Sequence, residues 1–252
     1  MKLFDAGVSQ LALWSDRDAA GEWVVRESRR ARRLTVRVLL SGRVEVVVPP
    51  RVSARQVQRF VEQHREWIER KRLEVRRHAR PPDPFPPQQI ELPACGEVWR
   101  VHLAGGPGRP RARATAPGLL SLCGTSGGPR EMRQALRAWL LERGRVVLGE
   151  ALASCARELG FEYARVSVRR QRSRWGSCSV RGTISLNCCL LFQRPEVVRY
   201  LLIHELAHTR HMNHSRRFWQ CVARYCPDYR ALDRELLDGW RRVPSWVFGE
   251  HP

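Results

Sequence analysis

Lysine is almost missing from this chain: of its 45 basic residues, all but Lys2 and Lys71 are arginine. Acidic residues are also scarce, 25 against those 45, which leaves a formal charge of +20. Such an excess attracts polyanions, yet no nucleic-acid-reading motif accompanies the clusters at Arg29–Arg33, Arg70–Arg72, Arg76–Arg77 and Arg169–Arg174. Long apolar runs are absent; none approaches the ~20 residues that cross a bilayer. The opening MKLFDAGVSQLALWSD has no continuous apolar stretch before a small-residue cleavage site, so no secretory leader and a soluble, cytoplasmic protein are expected. No C-x-x-C pair occurs among the eight cysteines, which removes zinc-ribbon and thioredoxin chemistry. The cysteines are expected as buried thiols in a reducing compartment. No repeat of fixed period is found. Apolar residues, at 43 %, suffice for a sizeable core.

The elements expected along the chain define four regions. Residues 1–28 are poorly patterned. Residues 29–126 form a strand-rich region: a hairpin over 34–48, a helix over about 53–77 opened by a Ser53/Gln56 capping box, a stiff Pro-rich connector at 81–87, and short strands over 89–122. Residues 127–241 form a second unit. A long helix over about 130–159 is closed by Gly160, and a strand at 165–168 and a hairpin over 174–186 follow. Helices over 195–211, 215–225 and 229–240 complete it. Residues 242–252 are expected as a tail. The class is α+β.

One fragment carries chemistry. His204-Glu205-Leu206-Ala207-His208 lies behind an apolar run (Val197, Val198, Leu201, Leu202, Ile203) that buries its helix. Residues i and i+4 stand about 6 Å apart on one helical face, so two imidazoles can converge on one ion. Glu205, on a neighbouring face, can take the proton of a metal-activated water as that water attacks a carbonyl. With eight His and 18 Glu in 252 residues, about 0.02 such matches arise by chance. An incidental origin is therefore disfavoured.

A catalytic site of this kind wants a third protein ligand. The candidates are His211, His214, Asp228, Asp233 and Glu235. His211 lies about 10 Å of axial rise from His204, too far for three residues of one straight helix to close on one ion. His214 is better placed, past a turn that Asn213 can make, and Glu235 is the next choice.

The segments Arg172–Ser179, Gly182–Asn187, His204–His208, His211–Ser215 and Phe218-Trp219 resemble the YgjP-like metallopeptidases, compact zincins similar to the SprT-like and WLM proteases. The resemblance spans about 29–235. It is close over 171–230 and looser in the N-terminal half, where Gly96–Val101 still fits. It implies Zn2+ held by His204, His208 and His214, Glu205 as general base, and an active-site helix under a small sheet. It also implies that an edge strand from the 174–186 hairpin pairs with an extended peptide or protein substrate. Trp175 is then a cleft wall or a core anchor, Arg174 (or Arg172) an oxyanion donor or a surface arginine, and His211 a rim residue. Cys178 is a small buried thiol or a fourth, latency-type ligand. Departures from the family pattern are Cys188-Cys189, where aromatic and basic residues are common, and the Arg-rich surface. The expected activity is zinc-dependent peptide-bond hydrolysis. The alternatives are a metal-dependent phosphohydrolase acting on nucleotides and a protease tethered to DNA.

Overall fold

In the computed structural model the described residues are 23–29, 31–39, 42–77, 83–124 and 127–248. They fall into two compact units, within Met1–Pro81 and within Pro82–Pro252.

The first unit is a three-stranded sheet with two helices. Strands β1 (Trp23–Glu27), β2 (Thr35–Val38) and β3 (Val44–Val48) run in the order β1-β3-β2, with β1 parallel and β2 antiparallel to β3. Strand β1 lies within the stretch expected to be poorly patterned. Alternation of Trp23 and Val25 against the Val46, Val48 and Val57 core explains why it forms. The expected single helix is two, α1 (Ala54–Gln63) and α2 (Arg65–Arg77). Ser53 and Gln56 make the capping box, Gln56 N donating to Ser53 Oγ and Ser53 N to Gln56 Oε1. The break falls at His64, which leaves the helical conformation while its ring bonds the Phe60 carbonyl at 2.7 Å.

The second unit has one core that runs through all its layers. Strands β4 (Gln89–Leu92), β5 (Glu97–Ala104), β6 (Arg111–Ala116) and β7 (Leu119–Cys123) form a sheet in the order β4-β5-β7-β6. Its apolar face, with Ile90, Leu92, Trp99, Leu120 and Leu122, packs on the long helix α3 (Pro129–Leu159). Trp99 meets Trp139 edge-on at 5.4 Å. The sheet thus shares a core with the elements after residue 127. The compact units divide near the Pro-rich connector, not at the 126/127 boundary expected from the Gly-rich stretch.

Strands β8 (Arg165–Arg169), β9 (Gly176–Cys178) and β10 (Thr183–Asn187) make the small sheet, in the order β8-β10-β9. A buried 3-10 turn over Cys188–Phe192 follows, with Cys188 against Gly144 of α3. A Cβ on Gly144 would lie 3.0 Å from that of Cys188, so glycine permits this approach. The chain continues through helices α4 (Pro195–Ala207), α5 (Arg216–Tyr225), α6 (Tyr229–Asp238) and α7 (Ser245–Phe248). Helix α4 stops at Ala207, earlier than the expected 211. The expected tail at 242–252 contains α7, whose Trp246 and Val247 are buried. Three guanidinium donors hold it: Arg137 to Trp246 O, Arg170 to Val247 O and Arg172 to Phe248 O. Residues 249–252 lie outside the described ones. The whole is a mixed α+β protein with small sheets and a buried helix beneath one of them, as the sequence led us to expect.

Candidate metal centre

Helix α4 begins with Pro195 in its first turn and is buried nearly all round through Val197, Val198, Tyr200–Ile203, Leu206 and Ala207. That packing fixes the direction of the two histidines at its C-terminal end. The turn after His208 brings the chain back, and His214 arrives just before Ser215 at the N-cap position of α5. The ligand nitrogens of His204, His208 and His214 all lie within 4.8 Å of one another. The Nε2 atoms of His204 and His214 are 3.1 Å apart, and the three ring centroids are 4.7 to 5.1 Å apart. Phe218 forms the floor, its ring stacked on His208 at 4.5 Å and 4.8 Å from His214. Trp219 backs His214 at 5.6 Å and is itself stacked on Tyr229.

Hydrogen bonds at the far side of two rings set their tautomers. His208 Nδ1 lies 3.1 Å from the His211 carbonyl oxygen, an acceptor, so Nδ1 carries the proton. The Tyr200 hydroxyl donates to Asp233 Oδ1 at 2.7 Å and is left to accept from His204 Nδ1 at 3.4 Å. In both rings the Nε2 lone pair then faces inward, the form a metal requires. Burial and the neighbouring His208 and His214 push the His204 pKa down to about 3. Burial also lowers His208. Neutral imidazoles with converging lone pairs are a donor set suited to a divalent ion.

Glu205 points to a different face and is almost wholly enclosed, 4 % exposed. Burial raises its pKa to about 8, against an opposing pull from Arg174. Its Oε2 has no hydrogen-bond partner. The carboxylate lies against the backbone of Gly176 in β9, where a Cβ would stand 2.4 Å from Oε1. A buried carboxylate with an idle oxygen, on the residue next to His204, is a polar group awaiting a partner.

The remaining sequence candidates are placed as follows. Glu235 accepts from Arg194 and Arg242, and Asp233 takes the Tyr200 hydroxyl, so neither joins the histidine group. Asp228 sits at the N-cap position of α6. His211 contributes its carbonyl, not its ring, to the site. Trp175 is buried and stacked on Trp240 at 4.0 Å, which makes it a core anchor and not a cleft wall. Arg172 is engaged with the Phe248 carbonyl, whereas Arg174 is exposed. Cys178 is partly buried and its thiol is pushed up by burial and by Glu205. All eight cysteines are free thiols.

The sequence gave no role to Tyr200, Gly176 or Asn187, although the last two lie in segments that carry the family resemblance. Tyr200 stands one helical turn before His204, a spacing that could have found it. Asn187 is buried and donates to the carbonyls of Gln171 and Arg174, pinning the entry to β9.

The family model described as YgjP-like, metallopeptidase domain, matches residues 32–238. The chain belongs to the YgjP-like metallopeptidase family. Membership of this family makes it a metal-dependent peptidase, acting on peptide or protein substrates. Two solved structures are also similar over part of the chain. The metallopeptidase zymogen abylysin of Pyrococcus abyssi is 26 % identical, covering 38 % of this chain and 98 % of its own, with a TM-score of 0.35. The zymogen jannalysin of Methanocaldococcus jannaschii is 17 % identical, covering 37 % and 96 %, with a TM-score of 0.34. No curated protein matches. Among the described residues no helix is long and apolar enough to cross a membrane.

Proposed function

We propose that this YgjP-like chain is a zinc-dependent peptidase in which His204, His208 and His214 hold the metal and Glu205 is the general base. The observation that carries this is the convergence of three imidazoles, with a buried carboxylate whose Oε2 has no partner on the residue next to His204. Three imidazoles suit zinc above the hard alkaline-earth ions. Bound there, zinc supplies polarisation of the scissile carbonyl and a water whose pKa falls toward neutrality.

The rest is done by the chain itself. Glu205 is held by Gly176 on one side, no hydrogen bond ties up its Oε2, and its carboxylate accepts a proton from the attacking water. A cation nearby favours its ionised form against the burial that otherwise raises its pKa. It then hands that proton to the leaving amine nitrogen. The Tyr200–Asp233 pair and the His211 carbonyl keep His204 and His208 in the ligating tautomer. The free edge of β9 offers main-chain groups to an extended substrate.

The Glu205→Gln variant tests the assignment. It should keep stoichiometric zinc by metal analysis and lose about 100- to 10,000-fold in turnover on casein-derived peptides. Undiminished turnover would remove Glu205 as base. Equal assays on nucleotides separate the phosphohydrolase alternative, which predicts hydrolysis there and none of peptides.

A further inference from the structure

Four arginines gather beside the end of α7. Arg137 Nε donates to Trp246 O at 3.0 Å, Arg170 Nη1 to Val247 O at 3.0 Å and Arg172 Nη2 to Phe248 O at 2.8 Å. The three acceptors belong to consecutive residues, so three guanidinium groups are held side by side. Arg133 stands one turn before Arg137 on the same face of α3. Its guanidinium lies over the Phe85 ring, 4.4 Å from the centroid.

Carbonyl oxygens satisfy donors but carry no net charge. Among the described residues, Arg133, Arg137 and Arg170 form no ion pair with a carboxylate. Asp83 comes near α7, where it accepts from Ser245 N at 2.9 Å, but it pairs with none of the three. Like charges therefore crowd one another. Burial first, then Arg170, Arg133 and Arg172, pull the Arg137 pKa down to about 10. Arg137 Nη2 is buried and has no hydrogen-bond partner. A buried charged donor without an acceptor is costly, and in a native structure it marks a water or an ion. A water satisfies the donor but leaves the charge uncompensated.

The cluster reaches solvent through Arg170 and Arg172, which are exposed, while Arg133 and Arg137 are half-buried. Its donors come from two directions, α3 and the segment after β8. That disposition suits a tetrahedral anion better than a planar carboxylate. A phosphate group carries a charge of about −1.5 to −2 and three acceptor oxygens, the better match for four cations. Guanidinium forks bind such oxygens bidentately. We propose that Arg133, Arg137, Arg170 and Arg172 form a binding site for a phosphate-type oxyanion, either free phosphate or the phosphoryl group of a larger molecule. Occupied, the site ties α3, the segment leading into β9 and α7 together. The inference does not rest on the peptidase reading.

The test titrates inorganic phosphate calorimetrically into the zinc-loaded full-length chain, with chloride holding the ionic strength constant. Wild type should take up one phosphate per chain, saturably. Arg133 makes none of the three carbonyl bonds, so Arg133→Met leaves them in place. It should weaken phosphate binding by about 10- to 100-fold, and Arg170→Gln should do the same. Arg181→Gln, at the turn between β9 and β10, removes an equal charge and should change the affinity by less than about twofold. Phosphate should also raise the Tm of wild type more than that of Arg133→Met, since its general salting effect is common to both. Glycerol 3-phosphate distinguishes the sources: tighter binding than phosphate assigns a larger molecule, weaker binding the free ion. No uptake by wild type overturns the proposal. So does uptake that Arg133→Met and Arg170→Gln leave intact, which places the anion at the metal centre or elsewhere, or uptake that Arg181→Gln reduces equally. Uptake by a Glu250→Gln variant but not by wild type overturns it too, because the chain's own carboxylate then fills the cluster.

Discussion

Gly176→Ala gives the sharpest test of how the centre is built. The added Cβ would stand 2.4 Å from Glu205 Oε1, 2.8 Å from its Cδ and 2.9 Å from its Cγ. Ordinary contact begins near 3.4 Å, so the carboxylate must retreat by about 1 Å. Its own enclosure leaves little room for a smaller shift elsewhere. Misplacing a reacting group by about 1 Å costs on the order of 100-fold in rate, which is about 2.7 kcal/mol of activation free energy. The three atoms nearest that Cβ all belong to Glu205 and none to a histidine, so zinc content should stay stoichiometric. Glycine in a strand is worth about 0.5–1 kcal/mol less than alanine, so the melting temperature should hardly fall. Steady-state kinetics with metal analysis on the same sample read all three quantities. In a Glu205→Gln background the same substitution should add almost nothing, since it acts through that carboxylate. Turnover within twofold of wild type at full zinc occupancy would refute the placement of Glu205 as the proton acceptor.

Other expectations follow from the same geometry. His214→Ala should drop zinc occupancy markedly after dialysis against a chelator; normal metal content would move the third ligand elsewhere. Tyr200→Phe frees His204 Nδ1 and should weaken zinc affinity by about 10- to 100-fold, read by competition with a chromophoric chelator; unchanged affinity would show that the bond does not orient the ring. Trp175→Ala removes a buried ring stacked on Trp240 and should cost about 3–5 kcal/mol in denaturant unfolding; a loss below 1 kcal/mol would contradict its place in the core. The ion pair of Glu97 and Arg143 should give a pH-dependent term. Arg143 donates to Glu97 and holds its pKa below the usual carboxylate value. A depressed folded-state pKa means that the stabilisation is present above about pH 4.3, the unfolded value, and is lost as pH falls through the folded value. Wild type should exceed Glu97→Gln by about 1 kcal/mol at pH 7, with the gap closing in acid; a gap that persists at pH 2 would refute it.

Much of the centre was legible without coordinates because its signal is local. His204 and His208 stand at a spacing that helical geometry converts directly into convergence. The Ser53/Gln56 cap and the Gly160 helix end are also local, and both were readable. His64 was not legible as a break, because a ring-to-carbonyl bond to Phe60 is one option among many for a histidine on a helix. The terminal helix over Ser245–Phe248 was missed because four residues carry too little periodicity. Its anchors, Arg137, Arg170 and Arg172, come from sequence positions 76 to 109 residues away.

The amino-acid sequence by itself determined the helix that presents two imidazoles and a carboxylate, since 3.6 residues per turn is a property of the backbone. It also determined the family to which the chain belongs. Tertiary structure alone decided that Asp233 steadies Tyr200 while Glu235 pairs with two arginines. It alone decided that Trp175 lies in the core and that a glycine cradles the Glu205 carboxylate. Each of these depends on which distant segments share one packed interior, and close packing across the chain is not encoded in the spacing of any single stretch.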